Sequence, residues 1–145
     1  MSAIEEAVTY INIAITKIDE DRIIAGVELV KREGTEAGKA SWIPYVVMSL
    51  YYAREGDRRL SVRQTLLSVC YEAMRYVDDV TETVIYRCGS DCFVRSIEYR
   101  EHVRAFANQR GVKTVIVRHH TKFIPNIMQL ANDALERGES IIAAL

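Results

Sequence analysis

The chain has 145 residues, 49% apolar and 27% charged, with a formal net charge of −1. That length and balance describe one folded domain with its own core, and they exclude a disordered chain. Three cysteines, Cys70, Cys88 and Cys92, are too few for a disulfide scaffold. The longest apolar run, Trp42–Ala53, is broken by Pro44 and Ser49 and falls short of the roughly 20 residues that span a bilayer. Met1 to Glu6 is acidic and amphipathic rather than a basic-then-apolar leader, so a cytoplasmic protein or a virion component is expected.

The first residues suggest a helix. Ser2-Ala3-Ile4-Glu5 has the form of a capping box. Ile4, Val8, Ile11, Ile15 and Ile18 follow at alternating spacings of four and three, which places them on one helical seam. Asp19-Glu20-Asp21 is read as a cap for a second helical segment carrying Ile23, Val27 and Val30, with Gly34 as its end. Residues 1–34 are thus expected to form a capped N-terminal helical arm.

After a polar connection, Ser41 and Pro44 read as the opening of a central, very apolar helix through Trp42, Ile43, Val46, Val47, Leu50 and Tyr51, ending at Gly56. Ser61-Val62-Arg63-Gln64 is a second capping box. The stripe behind it is Leu66, Leu67, Cys70, Ala73, Met74 and Val77. Between 82 and 118 two readings stay open. The β-branched runs Thr83–Tyr86 and Val112–Val117 allow a small β element, with Gly89-Ser90-Asp91 turning a hairpin; Asp79-Val80-Thr81-Glu82 equally allows another helix. Arg95 to Arg110 reads as helix stopped by Gly111. The last helix carries Pro125 near its start and keeps one apolar face through Gly138 to Leu145. The fold class expected is mainly α: a single helical bundle over residues 1–145.

The small net charge conceals an asymmetry. Residues 1–36 carry eight acids against four bases, whereas 87–122 carry eight bases against three acids. The basic stretch comprises Arg87, Arg95, Arg100, Arg104, Arg110, Lys113, Arg118 and Lys122, with His119 and His120 alongside, and Phe93, Tyr99, Phe106 and Phe123 interleaved. Clustered cations beside aromatics suit a phosphate backbone, because each neutralised phosphate releases a condensed counterion. The competing reading is a solvated face whose arginines pair with the acidic N-terminal helices of the same chain or of a neighbour. A smaller basic cluster, Arg54, Arg58, Arg59 and Arg63, surrounds the second capping box.

Cys88-x3-Cys92 with His102, His119 and His120 offers zinc-type ligands, but the spacing is too long for a finger. The two cysteines are read as a bridge or as packed thiols, with no metal and no cofactor. Asp91 and Glu98-x-Arg100 loosely resemble the PD-(D/E)xK nucleases, in which two carboxylates hold Mg²⁺. Two departures stand out: the acids are unusually close in sequence, and arginine replaces the lysine. No G-x-S-x-G elbow, phosphate-cradling glycine loop or H-E-x-x-H helix is present.

Fourteen arginines against five lysines, and only seven Asn plus Gln, lean toward a hot environment. Together with the capped arm and apolar central helix, this resembles the helical capsid and nucleocapsid proteins of double-stranded DNA viruses of hyperthermophilic archaea. The likeness is one of architecture and composition, without a shared motif. It implies a non-enzymatic helical subunit that self-assembles and coats double-stranded DNA. The alternatives are a small helical subunit of an RNA-guided nucleoprotein complex and the Mg²⁺-dependent nuclease.

Overall fold

The computed structural model describes residues 7–33, 41–89, 97–119 and 125–145. Three long strands come first: β1 (Val8–Asp19), β2 (Arg22–Glu33) and β3 (Ser41–Ala53). Helix α1 (Val62–Arg75) and strand β4 (Thr83–Cys88) follow, then helix α2 (Ile97–Arg110) and strand β5 (Thr114–His119). Helix α3 (Pro125–Arg137) and the short strand β6 (Ile141–Ala144) close the chain. The strands form one mixed sheet in the order β5-β4-β1-β2-β3-β6. The pairs β1–β2, β2–β3 and β3–β6 are antiparallel, and β1–β4 and β4–β5 are parallel.

This overturns the expectation of a mainly α bundle with a helical arm over 1–34. The segment Val8–Ile18 satisfies both periods: Ile11, Ile15 and Ile18 step by four and three, but Ile11, Ile13 and Ile15 also step by two. Val8, Thr9, Ile11, Ile13, Ile15, Thr16 and Ile18 are all β-branched, which stiffens χ1 and favours the pleated surface. Ile23, Ala25, Val27 and Leu29 repeat the two-residue step in β2 and are all buried. The proposed central helix is β3. Pro44 is tolerated there because it lies at a register shift opposite Val30, outside the stretch Val46–Ser49 that β6 covers. The capping box at Ser2–Glu5 and the stop at Gly34 fall outside the described residues.

The later elements match their sequence signals more closely. Ser61 caps α1, its hydroxyl accepting from the Gln64 N–H at 3.3 Å. Leu66, Cys70, Ala73 and Met74 lie on the buried side of that helix. The β-branched runs are strands, and β4 and β5 run parallel with α2 between them; the hairpin turn expected between Cys88 and Cys92 falls mostly outside the described residues, and α2 occupies Ile97 onward where its second strand was to continue. The last helix stops at Arg137 rather than running on. Gly138 takes φ +67°, a left-handed conformation that favours glycine, and the chain turns into β6.

Side chains alternate across the sheet and build two layers. Ile11, Ile13, Ala25, Val27, Leu29, Met48, Val84 and Tyr86 face α1 and α2 and form the main core. Each fully buried Leu, Ile or Val contributes roughly 1.5–3 kcal/mol by leaving water. Tyr86 keeps its hydroxyl satisfied there by donating to the Cys70 carbonyl at 2.7 Å. On the opposite face α3 lies over β2, with Ile24, Ala131 and Ala134 in a smaller cluster. Contact is so close at Gly26 that a Cβ there would stand 1.8 Å from the Ile127 carbonyl oxygen. Of the apolar seam of the first segment, Ile11 is buried, Ile15 packs on the main cluster and Ile18 on the smaller one; of the terminal apolar face, Ile142 packs on the main cluster while Ile141 and Leu145 are exposed. Among the described residues no helix is long and apolar enough to cross a membrane.

Candidate nucleic-acid interface

The face of the sheet that carries α3 holds a polar row on four strands. Its register is set by backbone pairing alone: Arg118 of β5 stands opposite Arg87 of β4, Arg87 opposite Asn12 of β1, and Asn12 opposite Glu28 of β2. Successive residues point to opposite faces, so the apolar neighbours Tyr86, Ile11 and Val27 enter the core on the other side.

Hydrogen bonds tie this row together. The Asn12 Nδ2 amide donates to Glu28 Oε1 at 2.9 Å, and Arg87 Nε donates to Asn12 Oδ1 at 2.6 Å. A single orientation of the amide serves both neighbours, since its nitrogen can only donate and its oxygen only accept. Asn12 and Glu28 are 2% and 8% exposed, so the carboxylate is held inside the sheet by the amide beside it. The Arg87 guanidinium also lies 4.2 Å from the centroid of the Tyr10 ring. Tyr10 in turn meets Trp42 edge-on at 4.6 Å between centroids. Burial is the largest influence on Arg87 and lowers its pKa; Tyr10 and Glu28 act the other way, and neighbouring Arg118 lowers it further. A guanidinium keeps its charge through such a shift, so two cations stand side by side.

The basic segment is therefore not one surface. Arg87 and Arg118 share the row. His119, one residue on, faces away from it and bonds through Nε2 to the Gly89 carbonyl oxygen at 3.0 Å, linking the ends of β4 and β5. Arg100 and Arg104 are exposed on α2, the helix that packs on the other side of the sheet. Arg110 bonds to the Val77 carbonyl and to Asp79 at 3.1 Å, while Lys113 lies 3.9 Å from Glu82. These last two pin α2 and the start of β5 to the β4 approach, through acids that lie outside the acidic N-terminal stretch. Arg95, His120 and Lys122 lie outside the described residues, as do Asp91, Cys92 and the side chain of Glu98. Cys88 is a buried thiol in the core. Of the smaller cluster, Arg54 bonds to the Gly56 and Asp57 carbonyls and stands 3.5 Å from Asp21.

Sequence reasoning missed Asn12, Glu28, Tyr10 and Trp42. The available signal was alternation: Tyr10-x-Asn12 and Gly26-x-Glu28 are the polar or small positions of otherwise apolar period-two runs. A polar residue in such a run marks either the solvent face or a buried network.

The strand order β5-β4-β1-β2-β3, an antiparallel meander followed by two parallel strands, is a ribonuclease H-like arrangement. No family model and no curated protein matches the chain. Among solved structures it is similar to the foamy viral protease-reverse transcriptase in complex with dsDNA, at 13% identity and TM-score 0.42, covering 88% of this chain and 92% of that one. It is also similar to Thermus thermophilus RuvC, at 16% identity and TM-score 0.35 over 78% of this chain and 63% of that chain. For the prototype foamy virus (PFV) RNase H domain in solution the values are 13% and 0.31, over 92% and 94%. The strand order, rather than these distant overlays, defines the architecture.

Two expectations fall with it. A capsid subunit built as a helical bundle does not fit a six-stranded mixed sheet, and the non-enzymatic reading, which rested on that bundle, goes with it. The nuclease alternative does not take the form expected, because Ile97 opens a helix where a hairpin strand was needed for Glu98 and Arg100.

A phosphate-binding row raises the question of a divalent cation, which phosphodiester chemistry commonly uses and convergent carboxylates hold. The row does not fit one. Its single carboxylate oxygen donor set, Glu28, already accepts from Asn12, and the Asn12 oxygen is taken by a guanidinium. Among the described residues no group of three His, Cys, Asp or Glu side chains could hold a metal ion.

Proposed function

We propose that this protein acts on nucleic acid, seating a phosphate backbone against Arg87 and Arg118 on the β1–β4–β5 side of the sheet. The observation that carries the reading is the pairing of these two arginines across parallel strands. Like charges directly opposite each other destabilise a sheet. An anion shared between them removes that cost, and a phosphodiester is an anion that two guanidinium groups bind well. The partly exposed Tyr10 and the exposed Trp42 flank the same end of the row, which adds the aromatic surface common to nucleic-acid sites. The ribonuclease H-like strand order agrees with this reading and is independent of it.

Fluorescence anisotropy with labelled single-stranded DNA, duplex DNA and an RNA/DNA hybrid tests the proposal. Binding at low salt should weaken steeply as salt rises, and the slope of log affinity against log salt should flatten by roughly 0.7–0.9 for each phosphate-contacting arginine replaced by glutamine. Absence of binding to all three at low salt sinks the reading.

A further inference from the structure

We propose that Arg87 is the built-in cation of this site, so that the protein holds the nucleic-acid phosphate on Arg87 and Arg118 without a divalent metal. This rests on the reading that the ligand is nucleic acid.

The argument starts from what each strand offers. A hard divalent cation needs several oxygen ligands, at least some of them carboxylates, converging at short range. At the centre of the row β1 offers an amide and β4 offers a guanidinium. The Asn12 oxygen faces Arg87 Nε at 2.6 Å, a distance of a strong charge-assisted hydrogen bond. A metal approaching that oxygen would displace the guanidinium, and would then face it and Arg118 as a third positive centre. Glu28 does not reverse this balance, because the amide between it and Arg87 uses one of its oxygens.

The same contacts orient Arg87 for an anion. Its Nε is committed to Asn12 and its plane is held against Tyr10. Among the described residues the terminal nitrogens Nη1 and Nη2 have no carboxylate partner, and neither does Arg118. Glu28, through Asn12, anchors the guanidinium from behind. The chain carboxylate–amide–guanidinium thus presents a fixed cation to the anion.

The experiment compares binding of labelled single-stranded DNA to the full chain in Mg²⁺ and in EDTA, at matched ionic strength. Affinity should agree within about twofold, and Arg87→Gln should weaken it roughly tenfold in both conditions, as expected for one charge-assisted contact. Arg118→Gln, at an exposed position, gives the parallel test should Arg87→Gln lose its fold by circular dichroism. A second readout is independent of nucleic acid. Titration of the wild-type protein with Mn²⁺, followed by electron paramagnetic resonance, should show no stoichiometric site. Binding that requires Mg²⁺, or one tightly held Mn²⁺ per chain, overturns the metal-independent site while leaving the nucleic-acid reading intact. Loss of all DNA binding in both conditions overturns the nucleic-acid reading instead.

Discussion

Arg87 and Asn12 stand opposite each other across the parallel β1–β4 pair, and the guanidinium Nε donates to the amide oxygen at 2.6 Å. The other end of the amide donates to Glu28, so one short side chain supplies a partner to both a buried carboxylate and a half-buried cation. Removing it strands both. Asn12→Ala is expected to lower the unfolding free energy by roughly 2–4 kcal/mol, the range for hydrogen bonds to charged groups lost in the interior. Urea unfolding measures this, and a variant as stable as the parent would show that the network carries no stability.

Gly26 touches α3 more closely than any side chain permits. Gly26→Ala should push Ile127 and the helix off the sheet, at a cost of about 3 kcal/mol, the upper part of the range for overpacking. Hydrogen exchange should quicken in α3 while α1 keeps its protection, because α1 packs on the opposite face. Unchanged protection in α3 would contradict the close approach.

The two arginine pairs on opposite faces should behave differently. Arg100→Gln with Arg104→Gln removes two exposed cations from α2, and the salt slope of DNA binding should change little. Arg87→Gln with Arg118→Gln should flatten that slope by roughly 1.4–1.8. Equal effects from both pairs would mean that the backbone wraps α2 as well, and the row would lose its special standing.

Alkaline pH should unfold the protein through its buried phenols. Burial pushes Tyr52 up to about 12, and pushes Tyr86 well above its ordinary range. In the unfolded chain both release their protons near 10. Stability from these groups is complete below that value and is lost as pH rises from about 10 toward 12 and beyond. Phenolate absorbance should therefore lag behind that of the exposed tyrosines and rise together with the loss of helical circular dichroism. Full ionisation of every tyrosine near pH 10 in the folded protein would contradict the burial of Tyr52 and Tyr86.

Local chemistry was legible wherever a feature acts within one turn of chain. Ser61 caps α1 through an atom three residues away, Gly111 ends α2 at φ +75°, and the β-branched runs 83–86 and 112–117 fall on or beside strands β4 and β5. Composition alone also determined that the segment 87–122 is cationic. The tertiary structure decided the rest. Residues 8–33 and 41–53 fit a helical seam as well as a strand, and a strand is chosen only when partners complete its hydrogen bonds. Those partners come from afar: Asn12 meets Glu28 sixteen positions on and Arg87 seventy-five positions on. Spacing along the chain carries no trace of such pairs, because strand register, not sequence distance, sets which side chains become neighbours. The same register separated the arginines that stand together, Arg87 and Arg118, from those that α2 carries to the other face and those, Arg110 and Lys113, that bind the chain's own acids.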